Sequence, residues 1–409
     1  VRRLSIPLLA LAALSASVAG CGSTSGAPEA ATAGDTVYLR DAGGRLLAVD
    51  PAGKRAARSL PAGQPAPGWR ALYTATPAPG GATRVAAVDL RGGRTVASQV
   101  LAGRWSLPST VAGTAPDALS PDGTTLVLAR TGPARSSFAL LDAGLRRRPR
   151  VVSLRGAFAY DAIAPTAGLL YLIEERSGDG PGHYRVRAFD LMKGRLRPGV
   201  IVDKTELGQP SMSGEPTSRA ASADGSWVYT LYRNAAKGPF VHALGATDGI
   251  AICIDLPHAA RSPDAVARAW GLALAPAEDV LYAANPVLGL IVEIDAGRHQ
   301  VRRTARLPGG GTPGSGPARP LVSADGTHLY VPSARGIEVL DTATLTAGRP
   351  LLAGTGVRAL AAAPGWRRLY AATARGELIA VQARGGRVLA RLRTAGEPAA
   401  VTASRSTPR

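Results

Sequence analysis

Apolar residues in this chain fall in short runs, bounded by glycine, proline and aspartate, not in helical stripes or long blocks. Thr125-Leu126-Val127-Leu128, Trp227-Val228-Tyr229 and His328-Leu329-Tyr330-Val331 each follow a Ser-x-Asp-Gly tetrapeptide, at Ser120, Ser222 and Ser323. Degenerate copies place Ala-Pro before Leu170-Tyr171-Leu172, Leu281-Tyr282, Leu369-Tyr370 and Leu72-Tyr73. A second run ending in aspartate follows most of these: Ala86-Ala87-Val88-Asp89, Ala139-Leu140-Leu141-Asp142, Val292-Glu293-Ile294-Asp295 and Glu338-Val339-Leu340-Asp341. Gly tolerates the positive φ of a tight turn, so Asp-Gly and Pro-Gly between such runs predict hairpins. The period is about 40–58 residues, and each unit is predicted to be a four-stranded antiparallel meander.

This repeat resembles the β-propellers of the YVTN and WD-like classes over roughly residues 36–405. The resemblance implies an all-β β-propeller of seven or eight four-stranded antiparallel blades. Thr36-Val37-Tyr38-Leu39 reads as the second strand of a blade, and Ala399 to Ser404 as a first strand. Pairing these N- and C-terminal strands would close the ring and remove two sheet edges. The unit at 60–104 has a weak first strand, which leaves the choice between seven and eight open. Residues 184–256 resemble a group of secreted actinobacterial propeller proteins, which implies a high-GC Gram-positive source and no particular activity.

The N-terminus carries a different signal. Arg2-Arg3 precedes an apolar run from Leu4 to Val18, which is too short to span a bilayer and has the size of a signal-peptide core. It ends in Val18-Ala19-Gly20-Cys21, which resembles the bacterial lipobox. The resemblance implies a lipoprotein signal peptide at 1–20, removed by a peptidase whose narrow site takes small residues, and diacylglyceryl transfer to Cys21. Residues 21–35 would be the lipidated cysteine and a flexible tether, and 36–405 the propeller domain. Two or more acyl chains suffice for stable anchoring. The expected location is therefore extracytoplasmic, on the outer face of the cell membrane.

Composition narrows the chemistry. The 409 residues include 49 Gly and 32 Pro, which suits many short elements joined by turns. Two cysteines exclude a disulfide-dense scaffold and paired-CxxC zinc sites. Cys253 lies in the strand-like Ile250–Ile254 and reads as a packed, inert thiol. The formal net charge is +19, but the basic residues are scattered with no basic helix or aromatic-interleaved patch, so no nucleic-acid partner is expected. A basic surface fits an envelope protein or an anionic wall polymer better.

No catalytic residue, metal ligand set or cofactor site is indicated. The five histidines form no HxxxH, HExxH or His-x-His spacing, and there is no nucleophile elbow or Walker loop. The formal GxGxxG of Gly309, Gly311 and Gly314 contains Pro313 and is followed by Pro317 and Pro320, which forbid the helix a phosphate would need. Lactonase-like propellers set His, Arg and Glu around the channel. Gluconolactonase-like propellers hold an ion there with Asn, Asp and Glu, whereas this chain has two Asn. Glu174, Glu175 and Asp179 could make a weak ion site but read as a solvated loop. Ligands of propellers sit where the innermost strands enter the channel, and that position is assigned here to Tyr160, Asp161, Arg219 and Trp270. An arginine with two aromatics would anchor an anionic or planar group. A confined group of His, Arg and carboxylates would favour a lactonase-type hydrolase, and an apolar or aromatic face a binding module. Long connections at 174–184 and 203–219 flank the same region.

Overall fold

A computed structural model describes residues 34–403, apart from 42, 53–54, 113, 115, 176–182, 202–211, 235–236, 258–262, 309–317 and 395. The chain forms eight antiparallel sheets arranged as the blades of a propeller, settling the open count at eight. Blade 1 comprises Gln64–Pro65, Ala71–Ala78, Ala82–Asp89 and Thr95–Leu101. Blade 2 comprises Thr125–Arg130, Arg135–Asp142 and Arg150–Arg155. Blade 3 comprises Phe158–Ala164, Leu169–Glu175, His183–Asp190 and Arg195–Leu196, with Met212–Ser213 added beside the third strand. Blade 4 comprises Glu215–Ala221, Trp227–Arg233, Phe240–Gly245 and Ile250–Asp255. Blade 5 comprises Gly271–Leu274, Val280–Asn285, Leu290–Asp295 and Gln300–Arg306. Blade 6 comprises Leu321–Val322, His328–Ser333 and Gly336–Asp341, and blade 7 Val357–Ala362, Arg368–Thr373, Glu377–Gln382 and Val388–Arg393.

Blade 8 joins the two ends of the chain. Its order is Glu397–Ala403, Asp35–Arg40, Leu46–Asp50, Arg55–Leu60, so the C-terminal strand is innermost and the N-terminal strand second. Thr36 pairs with Thr402 and Val37 with Val401, the closure expected from the sequence. An ion pair fastens it to blade 7. Arg368 Nε and Nη2 each donate to the buried Asp35 carboxylate at 2.8 Å, and the Tyr370 hydroxyl donates to it at 2.7 Å.

The hydrophobic core is divided into eight clusters, each lying between two neighbouring blades. That division follows from the apolar alternation: second and third strands bury both faces between adjacent sheets. The recurrent tyrosine of the second strand adds a polar link between blades. Tyr38 donates to Leu90 O, Tyr73 to Ala143 O, Tyr171 to Ala246 O and Tyr229 to Ala296 O. Each acceptor directly follows the third strand of the next blade, so the hydroxyl satisfies a turn carbonyl there.

The Ser-x-Asp-Gly tetrapeptides are the turns between first and second strands. In blade 4 the Ser222 hydroxyl donates to Asp224 Oδ1 at 2.7 Å, which also accepts the Ser226 N–H at 2.9 Å, while Ser222 Oγ accepts the Trp227 N–H at 3.0 Å. Gly225 takes φ +72°, which only glycine adopts without strain.

Two blades depart from the four-strand expectation. In blade 2 the inner edge is shared by isolated bridges Ser106↔Ala129 and Leu119↔Leu126, because Pro116 and Pro121 flank the segment and cannot donate to a ladder. In blade 6 the outer edge holds bridges Leu340↔Ala347 and Ile337↔Leu351, interrupted by Pro350. The space left beside that edge is a groove of about 440 Å³ towards blade 7, lined by His328, Tyr330 and Arg349. No helix among the described residues is long and apolar enough to cross a membrane.

Candidate functional site at the channel mouth

Innermost strands ring the central channel, and their N-terminal ends open on one face. Several of these strands carry a bulge near that end. Asp161 is the extra residue between Tyr160 and Ala162 in blade 3, Thr217 between Pro216 and Ser218 in blade 4, and Arg358 between Val357 and Ala359 in blade 7. A bulge leaves its residue out of the ladder and re-aims its side chain. The bulges of blades 3 and 7 thus set a charged residue, Asp161 and Arg358, at one end of the channel.

Blades 2, 3 and 4 place Asp117, Asp161 and Arg219 together. Arg219 Nη1 donates to Asp161 Oδ1 at 3.0 Å and Nη2 to the Asp161 carbonyl at 2.7 Å, while Nε lies 3.5 Å from Asp117 Oδ2. Asp117 Oδ1 also accepts the Thr110 N–H at 2.8 Å. The Asp161 and Arg219 side chains are 4% and 14% exposed, and Asp117 is 27% exposed. Burial alone would lower the guanidinium pKa; the Asp161 and Asp117 charges overcome it and raise it above the ordinary arginine value. Burial, reinforced by Asp117, pushes the Tyr160 hydroxyl pKa up as well.

Blades 6, 7 and 8 line the opposite side with Arg319, Arg358 and Arg40. Arg319 lies two residues before the inner strand of blade 6, Arg358 fills the bulge of blade 7, and Arg40 pairs in register with Glu397 at the start of the inner strand of blade 8. Arg319 is exposed at its surface, yet the protein packed around it lowers its pKa; Glu397 and Asp117 oppose the shift. Arg40 is pushed down to about 10 by burial and by the neighbouring Arg319 charge, against Glu397. Among the described residues none of these three guanidinium groups enters an ion pair, and Arg358 Nε is buried without a hydrogen-bond partner.

The glycine that opens the inner strand of blade 5 sets the height of Arg319. A Cβ on Gly271 would stand 2.3 Å from Ala318 O and 2.9 Å from Arg319 N, so the backbone before Arg319 lies directly on Gly271. Ala318 N–H donates to Ala269 O at 3.2 Å across the same contact.

Of the four residues assigned from the sequence, Asp161 and Arg219 meet at the channel mouth. Tyr160 and Trp270 do not face it: Tyr160 is 5% exposed between blades 2 and 3, and Trp270 1% exposed between blades 4 and 5. Cys21, the Asp203–Ser211 part of one long connection and Asp179 lie outside the described residues. Glu174 is held by Arg187 at 2.8 Å, and no group of metal-ligating residues occurs among the described residues. Cys253 is half-buried, with Sγ 3.8 Å from Nδ1 of the buried His242.

Asp117, Arg40, Arg319, Arg358 and Glu397 were not singled out from the sequence. One signal was present for the first: Asp117 stands three residues before the turn serine Ser120, as Arg219 does before Ser222.

No protein-family model and no curated protein matches the chain. Solved structures do match. The dihydro-heme d1 dehydrogenase NirN in complex with DHE is 16% identical with a TM-score of 0.53, over 92% of this chain and 75% of that one. Apo AztD from Citrobacter koseri is 11% identical with a TM-score of 0.53, over 90% of this chain and 97% of its own. At such identities the likeness is one of fold.

Proposed function

We propose that the protein is an exported lipoprotein, anchored through Cys21, whose propeller is a non-catalytic binding or scaffold module at the cell envelope. The partner is an envelope protein or an anionic wall polymer, engaged at the channel mouth. The observation that carries this reading is the convergence of Asp117, Asp161, Arg219, Arg319, Arg358 and Arg40 on one end of the channel, where eight inter-blade cores hold the strands rigidly. Rigid scaffolds with charged, confined entrances bind without reorganising.

A hydrolase resembling the lactonases is the second reading. The confined arginines and carboxylates favour it, since that grouping is half of what such chemistry requires. Among the described histidines none stands on an innermost strand: His242 and His299 are buried within the blades, His328 contacts Thr327 and Tyr330 at the blade 6 groove, and His183 opens the third strand of blade 3, two strands out from the channel.

A cross-linked pull-down from envelope extract, with the intact protein as bait at low and high salt, tests the first reading. A stoichiometric protein retained at high salt, or a wall polymer retained there, supports it. Loss of all capture at high salt would leave only diffuse charge attraction, and turnover in a lactone and ester panel would establish the second reading instead. Cys21→Ala should move the protein from the membrane pellet to the supernatant; an unchanged distribution would remove the lipid anchor from the proposal.

A further inference from the structure

The charges around the channel mouth are divided by side. Blades 2–4 offer two carboxylates, Asp117 and Asp161, around one guanidinium, Arg219, and these satisfy one another. Blades 6–8 offer three guanidinium groups, Arg319, Arg358 and Arg40, with one exposed carboxylate, Glu397, that enters no ion pair with them among the described residues. In a ring of eight, blade 6 lies across from blade 2, blade 7 from blade 3 and blade 8 from blade 4. The channel therefore has an internally neutralised side and a basic side facing it.

Glu397 opposes the lowered pKa of both Arg40 and Arg319, but one carboxylate on these blades stands against three guanidinium groups. Arg319 is close enough for its charge to depress the Arg40 pKa; Arg40 is half-buried and Arg319 is open to solvent. Arg358, on the blade between them, has a buried Nε with no partner. Guanidinium forks match two oxygens of a planar or tetrahedral anion, and a bound anion would relieve both the repulsion and the orphaned donor. We propose that blades 6–8 form a receptor for a compact oxyanion, a phosphate or carboxylate group, held between Arg319 and Arg40 with Arg358 on the intervening blade. The inference rests on the channel mouth being the binding face and adds the chemical class of what binds there. Gly271 acts as a positioning residue, through the backbone of Arg319.

Calorimetric titration of the intact protein in phosphate-free buffer tests the receptor, with inorganic phosphate, acetate and a glycerol-phosphate polymer as probes. Arg319→Gln and Arg40→Gln should each weaken phosphate or acetate binding about tenfold or more. Arg319→Lys, which keeps the charge and loses the fork, should fall between these and the wild type. Arg306→Gln, on the outer strand of blade 5, removes the same charge away from the channel and should bind like the wild type. Equal loss for polymer and free phosphate assigns the group to a polymer; loss for the free anion alone assigns it to a small ligand. Unchanged affinity in both glutamine variants, or no binding of either free anion, overturns the proposal. A protein partner captured equally by wild type and Arg319→Gln would sink the oxyanion receptor while leaving the binding module standing. Melting temperatures within a few degrees of the wild type certify that each variant is folded.

Discussion

The two sides of the channel mouth use arginine for opposite ends. On blades 2–4, Arg219 is surrounded by Asp161 and Asp117 and donates its hydrogen bonds to the protein itself. On blades 6–8, the exposed Arg319 and the half-buried Arg40 have no ion-pair partner among the described residues, and the Arg319 charge works against that of Arg40. A buried guanidinium with its carboxylates in place belongs to the fold. One left without them keeps its donors for something else. The contrast turns a ring of repeated blades into a site with a direction, and it makes two nearby arginines behave differently under mutation.

The largest effect is expected on the satisfied side. Arg219→Met keeps much of the side-chain volume and leaves the Asp161 carboxylate, 4% exposed, without its cation. Breaking a buried pair from one side costs about 3–5 kcal/mol. Urea unfolding should show the variant destabilised by about that much. A loss below about 1 kcal/mol would mean that the pair behaves like a surface salt bridge and that the two sides do not differ in kind.

Gly271→Ala tests the packing that carries Arg319. The new methyl would sit 2.3 Å from Ala318 O, a backbone atom that cannot swing away, so the segment before blade 6 must shift. Overpacking of this kind costs about 1–3 kcal/mol. The more telling readout is phosphate affinity, which should fall although no charge has been removed. Retained affinity with lowered stability would show that Arg319 is not held by this contact.

The fold was legible because its signals are local and repeated. Asp-Gly turns, the second-strand tyrosine and the Asp-ended third strand recur, and Thr36–Leu39 and Ala399–Ser404 were recognisable as halves of one blade. The blade count stayed open because blade 1 opens with a strand of two residues, Gln64–Pro65, too short to register as a run. The site was legible only in part. Strand position locates a residue along the channel axis but not the side it faces. Tyr160 and Asp161 are neighbours; the bulge sends Asp161 to Arg219, and Tyr160 packs between blades. Trp270 directly precedes the inner strand of blade 5 and turns into the blade 4–5 core. Arg40 and Glu397 meet only through ring closure, which brings the two ends of the chain into one sheet. Short-range pattern does not reveal such a pair.

The smallest effect is expected on the open side, where its smallness is the point. Burial and the Arg319 charge push the Arg40 pKa down to about 10, below the ordinary arginine value, and Arg319 is shifted in the same direction. A base with a lowered folded pKa binds its proton less tightly folded than unfolded. At every pH below the folded value it therefore subtracts from stability, and the penalty lifts only as pH rises above about 10 towards the ordinary arginine value. Removing one of the two charges should relieve the other. Arg319→Met is thus expected to leave stability at pH 7 within about 0.5 kcal/mol of the wild type, or to raise it, and to return the Arg40 pKa towards its free value. The same substitution that costs several kcal/mol at Arg219 (about 3–5) would be silent at Arg319 in unfolding and visible only in anion binding. A destabilisation at Arg319 comparable to that at Arg219 would show that this guanidinium too is spoken for within the fold, and the channel would lose its basic side as a receptor.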